Sequence, residues 1–291
     1  MPKRAPREIS RLDVEKHSIV RELLVDTADD NYITARWCYS EGLYIDFYWQ
    51  AVHALEKYFK AILLLNGLST KKFSHDITEL LPEVRKVAGS LMPKRLVAPA
   101  LLKHMHWHGE TVETFLKRLY KNGNADNRYM IFGYSHLPED IYKLDMVVFA
   151  TRRLCDDLDH YFMPPHARNF FAGKRDIKVN ETTRAYLRRD RRYWTSVAGG
   201  KLSDTVNGSR GKPLQHTLLN HNPSFAPRGY AHTAFRVTSA SHVPVIYRHI
   251  LDVLERDFSP ESKSLARETR DWLIANVRLP KDVANQLKLA K

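Results

Sequence analysis

Three histidines at alternate positions, His104, His106 and His108, could offer three imidazole nitrogens to a zinc ion. Alternate spacing puts three side chains on one face only in an extended strand; in a helix just His104 and His108 align. No Asp, Glu or Cys stands clearly placed to complete the set, Glu110 being the nearest acid, so no metal is expected. A second chemistry-bearing stretch is Thr183 to Trp194, where Arg184, Arg188, Arg189, Arg191 and Arg192 are interleaved with Tyr186, Tyr193 and Trp194. Guanidinium groups hold phosphates and aromatic rings stack on bases, which suits RNA or single-stranded DNA. The competing reading is a helix that docks Tyr186, Leu187, Tyr193 and Trp194 on the rest of the fold. His75, in Ser74-His75-Asp76, reads as a helix-start contact, with Ser74 as the cap and Asp76 favoured by the positive end of the helix dipole. Cys38 and Cys155 alone make neither a disulfide framework nor a zinc cluster. There is no phosphate-cradling glycine loop, nucleotide fingerprint or catalytic Ser/Cys arrangement, so no cofactor is expected.

Charge points the same way as the arginine-aromatic stretch. The 291 residues carry 46 Lys and Arg against 33 Asp and Glu, a formal net charge of +13. Between Arg168 and Lys212, twelve basic residues face four acids, so this stretch holds +8 of the total. A local basic block suggests an anionic partner, nucleic acid ahead of membrane because no amphipathic anchor accompanies it. A solvated surface is the alternative. The longest aliphatic run is Ala61 to Leu65, far below the roughly 20 apolar residues that span a bilayer. No apolar stretch follows the charged N-terminus, so a reduced, cytoplasmic protein without a membrane partner is expected.

The elements that must position these groups read as helices. Leu43, Phe47, Ala51, Ala54, Leu55, Tyr58, Phe59, Ile62 and Leu65 recur at steps of three and four, with Gly67 as a stop. Another helix runs from about Tyr32 to Tyr39. Further helices are expected over 75–87 and 101–120, separated by a proline-rich break between Pro93 and Pro99. Ile141, Leu144, Val148, Thr151, Cys155, Leu158 and Phe162 form one stripe, which predicts a last helix over 137–162 opened by Pro138 and closed by Pro164-Pro165. Thr205 to Gly229 shows no sustained period and reads as a long loop. Val243 to Phe258 and Ser259-Pro260 onward predict two C-terminal helices. The expected fold class is all-α: an N-terminal arm over 1–29, a helical bundle over 30–165, a basic, loop-rich connector over 166–240 and a C-terminal helical pair over 241–291.

The stretch Ala51-Val52-His53-Ala54-Leu55-Glu56-Lys57-Tyr58-Phe59-Lys60-Ala61 resembles the second helix of HEPN domains, the higher-eukaryote and prokaryote nucleotide-binding family. Gly42-Leu43-Tyr44 before it and Lys72 to Leu81 after it sit where that family places similar sequence. Asn127-Arg128-Tyr129 and Asp145…Arg152-Arg153-x-Cys155 resemble a bacterial branch, so that the likeness covers about residues 30–163. The resemblance implies a HEPN-like four- to five-helix bundle that commonly pairs into a homodimer. Many members are metal-independent ribonucleases in which an Arg is followed by a His after four to six intervening residues; others lack the pair and bind or assemble.

Arg153 and His160 have that spacing, and on one continuous helix they would share a face almost opposite the core stripe, at or beside a dimer interface. Asp157 stands at ion-pair spacing from Arg153, and Asp156 and Asp159 would repel a phosphate. Arg128 is the runner-up, but its fifth following residue is Gly133 and His136 lies beyond the family spacing, so a structural role as an anchor of the loop before the last helix is expected. The function expected is a non-catalytic or weakly active HEPN protein that binds RNA or nucleotides as a dimer or with a partner protein. The alternative is a metal-independent endoribonuclease of a toxin or defence type.

Overall fold

The computed structural model describes residues 11–130, 133–160, 181–189, 199–235, 237–242 and 259–277, with single positions beyond. Helix α3 (Tyr44–Leu65) is the axis of the bundle, because its apolar residues recur on one wide face. Phe47, Tyr48, Leu55, Tyr58, Phe59 and Ile62 are fully buried, each worth about 1.5–3 kcal/mol over an exposed position. Against α3 pack α2 (Asp26–Ser40), α4 (Ile77–Ala88) and α5 (Val112–Gly123). α2 continues without a break from α1 (Arg11–Val20) through one π-helical turn, Arg21–Val25, whose flanking residues keep right-handed helical dihedrals. The end of α5 meets α3 closely: a Cβ on Gly123 would stand 2.3 Å from the Tyr48 carbonyl oxygen. Only glycine permits that approach.

α4 begins as expected near His75, but the cap is Asp76, whose carboxylate accepts from the Thr78 amide at 2.7 Å, and not Ser74. The helix expected over 101–120 starts only at Val112, where Thr111 caps it by accepting from the Thr114 amide. Upstream, β1 (Arg95–Leu96) pairs antiparallel with β2 (Glu110–Thr111), and the three histidines sit on the exposed connection between them. Only a single 3-10 turn, Ala100–Leu102, follows Pro99, and the Thr111 cap fixes the start of α5.

The last helix of the bundle is α6 (Asp140–Arg152), ten residues shorter at its C-terminal end than the stripe predicts. The aspartates that follow explain the stop. Asp156 Oδ1 accepts from the Asp157 amide at 2.8 Å and Asp157 Oδ1 from the Asp159 amide at 3.2 Å. Such short side-chain bonds compete with the helical ladder. Asn66 completes the turn, donating to the Asp156 carbonyl and accepting from the Leu158 amide, so that Leu158 is still fully buried although it is not helical.

Downstream come the short helices α7 (Thr183–Arg189), α8 (Gly200–Val206) and α9 (Lys212–Leu219), strand β4 (Ala240–His242) and α10 (Pro260–Asn276). β4 pairs antiparallel with β3 (Tyr134–His136). The stretch expected as a loop over 205–229 therefore holds α9 and the end of α8. Helices of seven and eight residues are too short to show a period or to stand alone. They are held by α2: Arg36 donates to the Thr217 carbonyl at 2.9 Å and the Asn220 carbonyl at 2.6 Å, closing the C-terminal end of α9. Among the described residues, strands occur only as two small ribbons, and the fold is all-α in class. The first of the two C-terminal helices, over 243–258, lies outside the described residues; α10 begins as expected, with Ser259 accepting from the Ser262 amide. No helix among the described residues is long and apolar enough to cross a membrane.

Two buried carboxylates of α6 tie the bundle together. Asp145 receives Arg36 and, at 2.6 Å, the Tyr32 hydroxyl. Asp140 receives both Arg118 nitrogens at 2.7 Å and the Tyr48 hydroxyl at 2.9 Å. These contacts fix α2, α3, α5 and α6 relative to one another.

Candidate nucleic-acid interface

One face of α3 is left for other work. Trp49, His53, Glu56 and Lys60 follow at steps of four, three and four, a single stripe on the side away from the apolar face. The Arg128 guanidinium, carried on the 3-10 turn Ala125–Tyr129, lies 4.5 Å over the Trp49 ring. Trp49 in turn meets the His53 ring edge-to-face at 4.2 Å. Next along the stripe, the nearly buried Glu56 carboxylate collects three basic groups: Lys60 Nζ at 2.7 Å, His75 Nδ1 at 3.0 Å and His53 Nδ1 at 3.7 Å. Burial pushes the Glu56 carboxyl up, but the bonds from His53 and Lys60 and the charge of His75 outweigh it and hold the group down at about 2. Tyr129, beside Arg128, is 78% exposed.

The turn that carries Arg128 is rigid for a stated reason. Asn127 is fully buried, and its amide donates to the Asn122 and Gly133 carbonyls, both at 2.8 Å. The anchor of this turn is Asn127 and not Arg128, whose side chain stays exposed on Trp49. His136 goes elsewhere. It is buried on β3, stacked on Tyr44 at 4.2 Å and 3.3 Å from the Tyr48 hydroxyl. Burial lowers its pKa to about 4. Arg128 and His136 do not form a working pair.

Arg153 and His160 are separated by the end of α6. Arg153 is the C-cap, 8% exposed, with its guanidinium 5.9 Å from the Phe149 ring centroid. His160 follows the aspartate turns, and its carbonyl accepts from the Thr183 amide at 3.0 Å. The shared helical face expected for the two, and with it the geometric reason for placing them at a dimer interface, is corrected: the Asp156–Asp159 turns remove it.

The basic block is partly committed to the protein itself. Arg184 pairs with Asp159 at 2.7 Å and donates to the Val87 carbonyl. Arg189 pairs with Glu181, and Asp30 takes both Lys201 and Arg210. Arg188 and Lys212 are exposed. Tyr186 and Leu187 are buried on α7. Arg191, Arg192, Tyr193 and Trp194 lie outside the described residues. Of the three alternate histidines, His106 and His108 meet edge-to-face at 4.8 Å and His108 lies 3.6 Å from Glu139. No metal-holding group of His, Cys, Asp or Glu occurs among the described residues.

Sequence reasoning missed the α3 stripe, placing His53 merely between apolar positions and His75 at a helix start. The signal available was the 49, 53, 56, 60 spacing of an aromatic and three ionisable residues opposite the core face.

A helical bundle with a cationic, aromatic outer face is the class that fold and site define. Residues 21–122 match the HEPN domain family model. The matched span runs from the π-helical turn to the last turn of α5, beginning earlier and ending earlier than the likeness over 30–163. No curated protein and no solved structure matches the chain.

Proposed function

We propose that this chain is a non-catalytic or weakly active HEPN protein that binds single-stranded RNA on the outer face of α3. The match of residues 21–122 to the HEPN domain model supports a nucleotide- or RNA-related role in general. The carrying observation is the Arg128 guanidinium stacked on Trp49 beside the exposed Tyr129, with His53, Lys60 and His75 continuing the strip. Guanidinium and ammonium groups meet phosphates, and an exposed ring offers a face to any base. The family resemblance supports pairing of two copies, or docking of a partner protein, as the setting for binding. The buried position of Arg153 supports the binding reading over cleavage by that residue and His160.

The test is fluorescence anisotropy with a labelled single-stranded RNA across a salt titration. Arg128→Gln is expected to reduce the log–log salt slope by about 0.7, one phosphate contact on a single strand. Tyr129→Ala is expected to leave the slope unchanged and weaken binding by about 1–3 kcal/mol. RNA binding that both variants leave untouched would sink the assignment to this face.

A further inference from the structure

The C-terminal end of α2 borders an open cavity of about 620 Å³ that shares no lining residue with the strip on α3. Trp37, Ser40 and Glu41 line it from the last turn of α2 and its cap, His216 and Asn220 from the last turn of α9 and its cap, and Phe235 from the segment before β4. Its volume is that of a small-molecule site. The far wall is held in place: Phe235 stacks on Tyr39 at 5.8 Å and on His221 at 5.4 Å, and His216 Nε2 meets the Thr233 hydroxyl at 2.8 Å.

Charge on this side of the molecule has the opposite sign to that of the α3 face. α1, the π-helical turn and α2 form one continuous helix from Arg11 to Ser40, and its aligned peptide dipoles leave about half a negative charge at the end that borders the cavity. Glu41, the C-cap, adds a full one at a place where a carboxylate is disfavoured. Its carboxylate accepts from the Ser40 hydroxyl at 3.4 Å and meets no cation among the described residues. Arg36, 5.9 Å from the Phe235 ring centroid, is spent elsewhere: Asp145 balances its charge, and its remaining donors hold the Thr217 and Asn220 carbonyls. Trp37 is 49% exposed and has no ring or cation against it among the described residues.

We infer that this cavity binds an alkylguanidinium cation, with Glu41 taking its charge and the Trp37 ring its flat face. A guanidinium is planar and weakly hydrated, so it stacks on an indole while its N–H groups reach a carboxylate. Bound there, it also neutralises the helix end that Glu41 makes more negative. A phosphate would meet the same two negative charges and be repelled, so the site is separate from the nucleic-acid face and does not rest on the RNA reading. Two sources carry this group, a free small amine and an arginine side chain presented by a peptide.

The experiment is titration calorimetry on the full chain at low ionic strength with agmatine, with N-acetyl-arginine amide and with N-acetyl-citrulline amide, the neutral isostere. One saturable site per chain is expected for the guanidinium compounds, with citrulline at least about tenfold weaker. Tighter agmatine marks the free amine as the source, and tighter arginine amide the peptide. Glu41→Gln and Trp37→Ala are each expected to weaken binding about tenfold, and Trp37→Phe to keep part of what Trp37→Ala loses. Both side chains are exposed, so the variants are expected to melt with the parent. A nitrogen–proton correlation spectrum is expected to show the Trp37 indole signal, assigned by its loss in Trp37→Phe, shifting most among the five tryptophans. No saturable binding of either guanidinium, citrulline bound as tightly as arginine, or binding indifferent to both Glu41→Gln and Trp37→Ala overturns the site.

Discussion

Arg152, the last residue of α6, donates from Nε to Asp29 on α2 at 2.8 Å and from Nη2 to the Gly199 carbonyl at 2.8 Å. Asp29 also accepts from the Tyr58 hydroxyl at 2.7 Å and from the Leu202 amide at 2.8 Å. One buried pair therefore joins α2, α3, α6 and the start of α8. Asp29→Asn leaves the Arg152 charge without its counterion in the core, and such breaks cost about 3–5 kcal/mol. Urea unfolding is expected to show a loss of that order. Hydrogen exchange is expected to show the Leu202 amide losing protection first, since its acceptor is the group removed.

His136 makes stability depend on pH. Its ordinary pKa of about 6.5 applies in the unfolded chain, whereas burial lowers it to about 4 in the fold. Between those values the unfolded state binds the extra proton, so stability falls as pH drops from about 6.5 toward 4, by at most about 3 kcal/mol. Glu56 adds a second loss lower down: its folded value of about 2 lies below the unfolded one, so its contribution, complete above pH 4.5, fades as pH falls toward 2. The His136 ring is packed among Tyr39, Tyr44 and Phe47, and its buried Nε2 has no hydrogen-bond partner among the described residues. His136→Phe is expected to remove the first slope in thermal melts taken from pH 7 to pH 4 and to leave the second.

The apolar half of this fold was legible in the sequence, and the reason is period. α3 repeats its apolar steps over six turns, and α6 carries the same stripe up to Thr151. Past that point the stripe persists to Leu158 but the helix does not. Three aspartates and the distant Asn66 decide the backbone there, and sequence spacing carries no sign of Asn66. The same holds for α9, whose end is fixed by Arg36 more than 180 positions earlier. For the site, the HEPN likeness of 51–61 was visible, but the meeting of His53 and His75 on Glu56 depends on the fold of the 66–76 connection.

Gly123 offers a sharper test of packing than any large core residue. A methyl group there would meet the Tyr48 carbonyl oxygen at 2.3 Å and the Val52 side chain at 2.8 Å. Backbone cannot step aside as a flexible side chain can, so α5 must move from α3. Gly123→Ala is expected to cost at least about 1–3 kcal/mol, the usual penalty of overpacking. Because the turn bearing Arg128 follows directly, RNA affinity is expected to fall with stability in this variant, whereas His136→Phe leaves affinity unchanged at neutral pH. Chemical denaturation and anisotropy on the same samples check both.

The two cationic surfaces can be told apart by salt. Arg184 and Arg189 already face Asp159 and Glu181, and Lys201 and Arg210 share Asp30. Cations so engaged must exchange an existing partner for a phosphate, which lowers their net gain, whereas Arg128 lies on a neutral ring. If the α3 face is the principal contact, Arg128→Gln lowers both affinity and salt slope, and replacing Arg188, Arg189, Arg191 and Arg192 together by Gln lowers affinity less than four independent contacts would. Four lost contacts on a single strand would flatten the slope by about 2.8. A quadruple variant that reaches that value, with Arg128→Gln indistinguishable from the parent, would move the RNA from the face of α3 to the 188–192 block.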